Sequence, residues 1–270
     1  MLRFELGVYL LFLVASPVAA LELRGNWQQG GVIIGKLAEG QQIEYRGKKL
    51  QLSPQNEFVI GLGRDAVKEA TLTVLDQQGK RIDYKYQVKQ RQYNIQRVTG
   101  VPQQTVEPDP DQVERAKQEA KMAADARKSD LSLPFFAQKF VWPLTGPITG
   151  VYGSQRVYNG VPNSPHYGVD IARPVGTLMK APAGGVVTLV HKDMFFSGGT
   201  LIVDHGHGLS STFIHLSEVL VKEGDEIAQG QVIAKVGKTG RATGPHLDWR
   251  MNWFEERIDP QLLVGAMSGE

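Results

Sequence analysis

Two short runs of the sequence combine histidine and aspartate at spacings that suit a metal site. The first is His166-Tyr167-Gly168-Val169-Asp170, and the second contains His246-Leu247-Asp248. Imidazole nitrogens and carboxylate oxygens are good zinc ligands. The chain has no cysteine, which excludes thiolate ligands, disulfides and cysteine nucleophiles. The histidines and aspartates are therefore the candidate ligands for a metal ion.

The four-residue spacing of the first run requires a bend in the backbone. On a straight strand, residues four apart are separated by ~13 Å, too far for two ligands that each lie ~2 Å from one ion. A helix would bring His166 and Asp170 together, but Gly168 and Val169 disfavour a helix. We expect the chain to bend between the two ligands, with Gly168 permitting the bend.

The second run has the spacing of one face of a strand. His246 and Asp248 are two residues apart, so on a strand their Cβ atoms lie ~6.6 Å apart on the same side. Leu247 and Trp249 then face the core. This arrangement lets one polar side chain bind the metal while the other contacts a substrate.

Four further histidines need separate interpretations. His215 lies in Ser211-Thr212-Phe213-Ile214-His215-Leu216-Ser217, at the end of a predicted strand, where an isolated histidine is more often structural. His205 and His207 alternate with glycines, and a β-turn with one packed histidine is favoured over a second metal cluster. His191 is expected to be exposed or to pack against its neighbours.

The elements around these runs are mostly short strands separated by glycines. Arg81 to Val88 alternates apolar and polar residues, as a half-buried strand does. Gly61 to Asp65 is better interpreted as a turn than as a phosphate loop. Other strands are predicted at 32–34, 41–45, 49–52, 58–60, 71–75, 186–190, 200–204, 211–215, 232–236 and 246–251.

One segment, residues 109 to about 128, has the pattern of a helix. Asp109-Pro110 offers an N-cap and a first-turn proline, and no glycine interrupts the segment. Val113, Ala116 and Ala120 form a thin apolar stripe, which predicts one lightly buried face.

Composition limits the function classes. The formal net charge is +2, which argues against nucleic acid as a partner and against a polybasic membrane surface. An apolar run, Leu6 to Ala15, precedes Pro17-Val18-Ala19-Ala20, the layout of a signal peptide cleaved after Ala20. An uncleaved anchor is the alternative, although the run is shorter than the ~20 residues of a spanning helix. We expect an exported protein.

Together, the runs around His166, His215 and His246 resemble the lysostaphin-type (LytM-type) zinc metallopeptidases of bacterial cell walls. The resemblance covers residues 140 to 260 and includes the order and spacing of the runs, Ala181-Pro182 and Asp204-His205-Gly206. The N-terminal part is similar to the β-domain that precedes the peptidase domain in some Gram-negative members, around Gly61 to Asp65 and Arg91 to Gln96.

This resemblance implies a role for each residue of the site. His166 and Asp170 become the first two ligands of one Zn²⁺ per chain, and His215 and His246 the catalytic histidines. The family's third ligand is normally a histidine, and Asp248 occupies its position. One imidazole and two carboxylates cancel the charge of the ion, whereas two imidazoles and one carboxylate leave it positive. A less positive centre acidifies water less, so we expect a slower peptidase or a different substrate.

The predicted fold is mainly β. A signal peptide (1–20) is followed by a small N-terminal β-domain (21–105), a helical linker (106–134) and a β-sandwich or hairpin peptidase domain (135–265) related to the biotinyl/lipoyl-like hybrid fold. A biotinyl or lipoyl carrier function is disfavoured. Such carriers present a modified lysine between methionine-like neighbours at a hairpin tip, and no such tripeptide is present.

The function implied is zinc-dependent hydrolysis of peptidoglycan peptide cross-links in the Gram-negative periplasm. The alternative is a catalytically degenerate domain that binds peptidoglycan or activates another hydrolase. Peptide stems of peptidoglycan are the expected partner, a regulatory protein is possible, and a monomer is expected. The bond cleaved, zinc ligation by Asp248 and inhibition by the N-terminal part stay open.

Overall fold

The computed structural model describes residues 21–98, 110–158 and 160–267. The expected signal peptide (1–20) and the N-cap Asp109 lie outside the described residues. Within the described residues the protein is mainly β, with one long helix. None of the helices in these ranges has the length and apolar character needed to cross a membrane.

The N-terminal part consists of two antiparallel sheets. The first has the order β1-β2-β5, and the second the order β4-β3-β6-β7. Ile33 and Ile60 from the first sheet and Ile43 and Leu72 from the second are fully buried in the core. The strands are β1 (Glu22–Gly25), β2 (Val32–Lys36), β3 (Gln42–Tyr45), β4 (Lys48–Lys49), β5 (Glu57–Gly61), β6 (Glu69–Leu75) and β7 (Arg81–Gln87).

The strand predicted at residues 49–52 is wrong beyond Lys49, the last residue of β4. Only Lys48 and Lys49 pair with β3, and the N–H of Leu50 makes the last bond, to the carbonyl of Ile43. A turn then begins after Ser53, whose hydroxyl accepts a hydrogen bond from Glu57 N–H. The β-prone composition of this run was overridden by the short hairpin before it and the turn after it.

The helix α1 (Pro110–Ala126) lies on the C-terminal part of the protein. Ala123 and Ala126 pack against a small apolar cluster of Leu189, Met194 and Ile202. The predicted stripe is wrong at Ala120, which is exposed, whereas Glu119 is buried. Glu119 is buried because its carboxylate bonds Arg115 and the N–H of Phe195.

The C-terminal part is built on one large antiparallel sheet with the order β18-β14-β15-β16-β20-β12-β9, and β21 pairs with β20. A small sheet, β13-β19-β17, and the hairpin β10-β11 flank it. The strands are β9 (Ile148–Gly150), β10 (Gln155–Tyr158), β11 (Val161–Pro162), β12 (Gly168–Ala172), β13 (Leu178–Lys180), β14 (Gly185–Met194), β15 (Gly198–Asp204), β16 (Leu209–Leu216), β17 (Glu218–Val219), β18 (Glu226–Ile227), β19 (Val232–Lys235), β20 (His246–Trp253) and β21 (Glu256–Ile258). Two 3₁₀ helices, Pro134–Ala137 and Pro260–Leu262, pack at its ends.

The two faces of the large sheet differ in character. Val169, Phe213, Leu247 and Trp249 are fully buried on one face. Because side chains alternate along a strand, the intervening residues of β20 and β12 lie on the opposite face. That opposite face carries the polar residues of the site, and α1 covers its far part.

The N-terminal part contacts the chain segment that leads to the site. Strand β8 (Ile95–Val98) pairs in parallel with β10, which precedes His166 by eight residues. Arg91 bonds the buried carboxylate of Asp259 at 2.7 Å. The hydrophobic core is continuous between the two parts. The N-terminal part therefore supports the wall of the site from one side.

Candidate active site

Strand pairing brings His166, Asp170 and Asp248 to one point. Asp170 on β12 lies directly opposite Asp248 on β20, and His166 precedes β12. The Nε2 of His166 lies 3.0 Å from Asp170 Oδ1 and 3.4 Å from Asp248 Oδ2. One ligand atom from each residue lies within 4.8 Å of the other two. The three predicted ligands are thus adjacent in space, with one imidazole and two carboxylates.

This geometry fits a zinc ion. Ligands about 2.1 Å from a tetrahedral zinc are about 3.4 Å from one another, close to the two separations at His166. The Nε2 of His166 and the Oδ1 of Asp170 are also buried without a well-oriented hydrogen bond in the described residues. Buried polar atoms seldom lack a partner, and a metal ion would satisfy both. The Nδ1–H of His166 donates to Val151 O at 3.2 Å, which directs Nε2 toward the two carboxylates.

The electrostatics of the cluster also favour a cation. Burial alone would lower the pKa of His166, but Asp170 and Asp248 outweigh it and raise the pKa to about 10. Without a metal, the imidazole therefore keeps a proton between the two carboxylates at neutral pH. Zinc binding replaces that proton, since a ligating imidazole must be neutral.

Asp248 has a second partner, Arg250, on the same face of β20. The Nε of Arg250 donates to both carboxylate oxygens at 3.0 Å, and its Nη2 donates to Oδ2 at 2.6 Å. Asp248 is only 2% exposed. Burial would raise the pKa of Asp248, but Arg250 and His166 outweigh burial and hold the pKa far below its ordinary value. The carboxylate is therefore ionised at every physiological pH.

His215 and His246 lie beside the three predicted ligands. Their ring centroids are 4.9 Å apart, and His246 Nε2 lies 3.8 Å from Asp170 Oδ1. The Nδ1–H of His215 donates to Thr239 O and that of His246 to Gly244 O, both at 2.8 Å. A carbonyl can only accept, so each neutral ring has an unprotonated Nε2. Burial lowers the pKa of His215, which keeps that ring neutral.

The backbone at His215 is strained. Its φ is +64°, in the left-handed region that β-branched and bulky residues rarely adopt. The ring is held there by the bond to Thr239 and by the N–H of His215, which bonds Ser197 O at 2.8 Å. His207, outside the cluster, has a similar φ of +53°, so the role of His215 rests on its position beside His246 and not on its backbone conformation.

Gly168 has a different role from the one its spacing predicted. Gly168 is the first residue of β12 and its φ is not positive, so its backbone does not use the conformational freedom of glycine. A Cβ there would lie 2.4 Å from Asp248 Oδ1 and 2.7 Å from both Arg250 Cγ and Trp249 O. Gly168 is thus required for the close approach of the Asp248–Arg250 pair, not for the bend.

The other histidines are structural. His205 is fully buried, its Nδ1–H donates to Gly184 O at 2.6 Å, and its Nε2 accepts from the Ser211 hydroxyl at 2.8 Å. His207 is in a turn with φ +53° and packs against Phe136. His191 is on β14, partly exposed. None of them is part of the three-residue cluster.

Arg250 is the site residue that the motifs alone did not reveal. Its spacing of two residues from Asp248 on a predicted strand was the available signal, because it places both side chains on one face. Tyr167 and Arg257 were also overlooked. The guanidinium of Arg257 lies over the Tyr167 ring, 5.2 Å from its centroid.

Parts of this chain are similar to known proteins. The model of the family "Peptidase family M23" matches residues 164–260. The peptidoglycan DD-endopeptidase ShyA of Vibrio cholerae serotype O1 is 38% identical over 88 residues, which are 33% of this chain and 20% of ShyA. The DD-carboxypeptidase/endopeptidase Mpg of Neisseria meningitidis serogroup B is 38% identical over 96 residues, 36% of this chain and 21% of Mpg. The chain thus aligns with about a fifth of the length of these relatives.

A solved structure extends the similarity to the N-terminal part. The crystal structure of a peptidase M23 from Pseudomonas aeruginosa has 29% sequence identity and a TM-score of 0.68. The match covers 88% of this chain and 95% of that one. The mainly β fold with an N-terminal β-region is therefore shared with this protein. Residues 164–260, the stretch that matches the family model, contain His166, Asp170, His215, His246 and Asp248.

Proposed function

We propose that the protein is a zinc-dependent endopeptidase that hydrolyses peptide cross-links of peptidoglycan. The observation that carries this proposal is the convergence of His166, Asp170 and Asp248, with two histidines beside them. ShyA is named a peptidoglycan DD-endopeptidase and Mpg a DD-carboxypeptidase/endopeptidase, and these names support peptidoglycan peptides as the substrate class. A domain that only binds the wall has no need of two further histidines whose Nε2 atoms are free to exchange protons.

In this proposal, His166, Asp170 and Asp248 hold the metal. When bound there, zinc would supply Lewis-acid polarisation of the scissile carbonyl and a more acidic water. The proton transfers are carried out by side chains of the protein itself. The neutral His215 accepts the proton of the attacking water at its Nε2, because its Nδ1–H is committed to Thr239.

His246 performs the complementary step. Its Nε2 faces the metal ligands and the ring of His215. With a proton taken from solvent on Nε2, it donates a hydrogen bond to the negative charge that develops on the carbonyl oxygen, and it keeps that proton. His215 returns the proton it took from the water to the leaving amine. The bond from the Nδ1–H of His246 to Gly244 O keeps its ring in the orientation that the hydrogen bond to the carbonyl oxygen needs.

We also propose that the protein acts as a monomer in the periplasm after removal of residues 1–20. The cell-wall names of the relatives support export. Cell fractionation followed by mass determination of the mature chain tests the site of cleavage and the compartment. A cytoplasmic protein that retains Met1 to Ala20 would overturn this part.

The decisive experiment incubates the mature chain with purified cross-linked peptidoglycan and identifies the released fragments by mass spectrometry. We expect loss of cross-linked dimers, inhibition by a chelator and recovery with zinc. His246→Ala should abolish cleavage, and His191→Ala is the matched control because His191 lies outside the cluster. If the zinc-loaded protein binds the wall but releases no fragments, the degenerate-domain alternative is correct.

A further inference from the structure

Next to the metal ligands, the polar face of the large sheet carries three arginines. Arg250 is directly opposite Gly168 on β12 and Thr212 on β16. Two residues further along β20, Asn252 is directly opposite Arg257 on β21, so both arginines lie on the face that carries Asp248. Arg127, immediately after α1, lies close enough to both for their charges to interact.

Two of these arginines have no carboxylate partner among the described residues. Arg127 makes no hydrogen bond or ion pair within those ranges, and burial together with the charges of Arg257 and Arg250 lowers its pKa to about 10. Of the groups that the structure describes, the guanidinium of Arg257 contacts Asn252 Oδ1 through a long bond of 3.4 Å and the Tyr167 ring. Burial and the charge of Arg250 also lower the pKa of Arg257. Partly buried, mutually repelling cations without a counter-ion are costly unless an anion binds.

The carboxylates that face this cluster are committed elsewhere. Asp248 and Asp170 are the acidic groups whose charges reach Arg250, and Asp248 is the one that reaches Arg257. Asp248 is already paired with Arg250, and Asp170 is a proposed metal ligand, so neither carboxylate offsets the charges of Arg127 and Arg257. Two positive charges therefore remain in the metal-bound protein, beside the proposed position of the scissile bond.

Buried hydroxyl groups give a second, independent indication of a ligand. Thr212 is opposite Arg250 and Ser210 is opposite Asn252, on the same face. They are 6% and 3% exposed, and neither hydroxyl has a hydrogen-bond partner in the described residues. Arg257 also borders a cleft of about 330 Å³, whose lining includes the carboxylates of Asp65, Glu255 and Glu256; Asp65 and Glu256 are paired with arginines of the N-terminal part.

We propose that Arg257, Arg127 and the free Nη1 of Arg250 form a binding site for a carboxylate of the peptide substrate. This inference rests on the proposed function and specifies its substrate. Arg250 is two residues from Asp248 on β20, a separation of ~6.6 Å. When the carbonyl of one substrate residue is at the metal site, Arg250 therefore reaches the next residue of the substrate. The site therefore selects peptides with a free carboxylate on the residue that supplies the leaving amine.

The name of Mpg is consistent with this assignment. A carboxypeptidase removes a terminal residue, and that residue has a free carboxylate beside the scissile bond. An endopeptidase that also requires such a carboxylate cleaves those cross-links in which the carboxyl group next to the amide is unmodified. Amidation of that group should then protect the cross-link.

The test uses two synthetic cross-linked peptides that differ only in whether this carboxyl group is free or amidated. Cleavage by the mature chain is measured as kcat and KM, and binding to the His246→Ala variant is measured by calorimetry. We expect the free acid to be preferred at least ~10-fold in kcat/KM, mainly through KM, since one charge-assisted hydrogen bond is sufficient for this ratio. Arg257→Gln should remove the preference, by lowering kcat/KM for the free acid toward the value for the amidated peptide.

Arg127→Gln provides a second variant, since its position after the helix makes misfolding less of a concern. It should reduce the preference partially, and Arg81→Gln, in the N-terminal part, should leave it unchanged. Equal cleavage of both peptides by the unmodified protein overturns the carboxylate site but not the proposed function. If neither peptide is cleaved, the proposed function fails. Preferential binding of the acid to His246→Ala, lost with Arg257→Gln, would still uphold the site, and equal binding would reject it.

Discussion

Removal of Arg250 is the sharpest test of how Asp248 is stabilised. The Asp248 side chain is 3% exposed and accepts three N–H···O contacts from Arg250. Breaking a buried ion pair from one side costs ~3–5 kcal/mol, because the remaining charge stays buried. Arg250 is 28% exposed and His166 also faces Asp248 at 3.4 Å. Because of this exposure and this second partner, we expect Arg250→Met to destabilise the metal-free protein by about 3 kcal/mol, the lower end of that range.

This cost corresponds to a measurable change in melting temperature. For a chain of this size, 1 kcal/mol corresponds to about 2–4 °C, so metal-free Arg250→Met should melt about 6–12 °C below the unmodified protein. Zinc bound to Asp248 replaces the lost positive charge. We therefore expect zinc to raise the melting temperature more in the variant than in the unmodified protein, so that the deficit shrinks.

The assay is thermal unfolding of four proteins with and without zinc: the unmodified chain, Arg250→Met, Asp248→Asn and the double variant. In the double variant no uncompensated charge remains, so its stability should exceed that of either single variant. Arg81→Met is the matched control, because Arg81 makes a two-point ion pair with Glu44 that is exposed. A metal-free Arg250→Met protein that melts with the unmodified one refutes the energetic argument. Equal zinc stabilisation of both proteins refutes ligation by Asp248.

Three further predictions concern single residues of the domain. Gly168→Ala should lower zinc affinity ~10-fold or more, measured by competition with a chelating dye, because its Cβ displaces the groups that orient Asp248. His215→Ala should lower kcat ~100-fold or more without loss of bound zinc, since it removes a proton acceptor but no ligand. The stability of the unmodified protein should fall by about 3 kcal/mol as pH falls from 6.5 to 4, because burial lowers the pKa of His205 to about 4 and the unfolded chain takes up the proton first. His205→Asn should flatten this decrease and His191→Asn should not, as measured by denaturant titrations.

Local patterns were sufficient to predict much of the fold. The alternation in Arg81 to Val88 corresponds to β7, in which Ile82, Tyr84 and Tyr86 are all partly buried. The two-residue spacing of His246 and Asp248 placed both on one face of β20, with Leu247 and Trp249 buried behind them. These predictions succeeded because strand periodicity is a local property of the backbone.

Long-range pairing was not predictable in this way. The parallel pairing of β8 with β10 joins residues about 60 positions apart, and its register depends on packing between the two parts of the chain. The helix was predicted, but the burial of Glu119 depends on the N–H of Phe195. Gly168 was correctly singled out and wrongly explained, because its requirement comes from Asp248 and Arg250 on a neighbouring strand. A spacing rule along one chain segment cannot include such a contact.

Arg250 changes what the substitution at Asp248 means for the site. A carboxylate in place of the imidazole common in the family removes one unit of positive charge from a zinc centre, which is why a slower peptidase was expected. The guanidinium of Arg250 adds that unit back, in direct contact with the same carboxylate. Asp248 and Arg250 then act as a neutral pair, and His166 and Asp170 leave the ion with one net positive charge. On this argument, Asp248→His alone should not increase activity, since it leaves the cation of Arg250 without its acceptor. Only a combined replacement of Asp248 by His and of Arg250 by an uncharged residue keeps the charge of the centre unchanged.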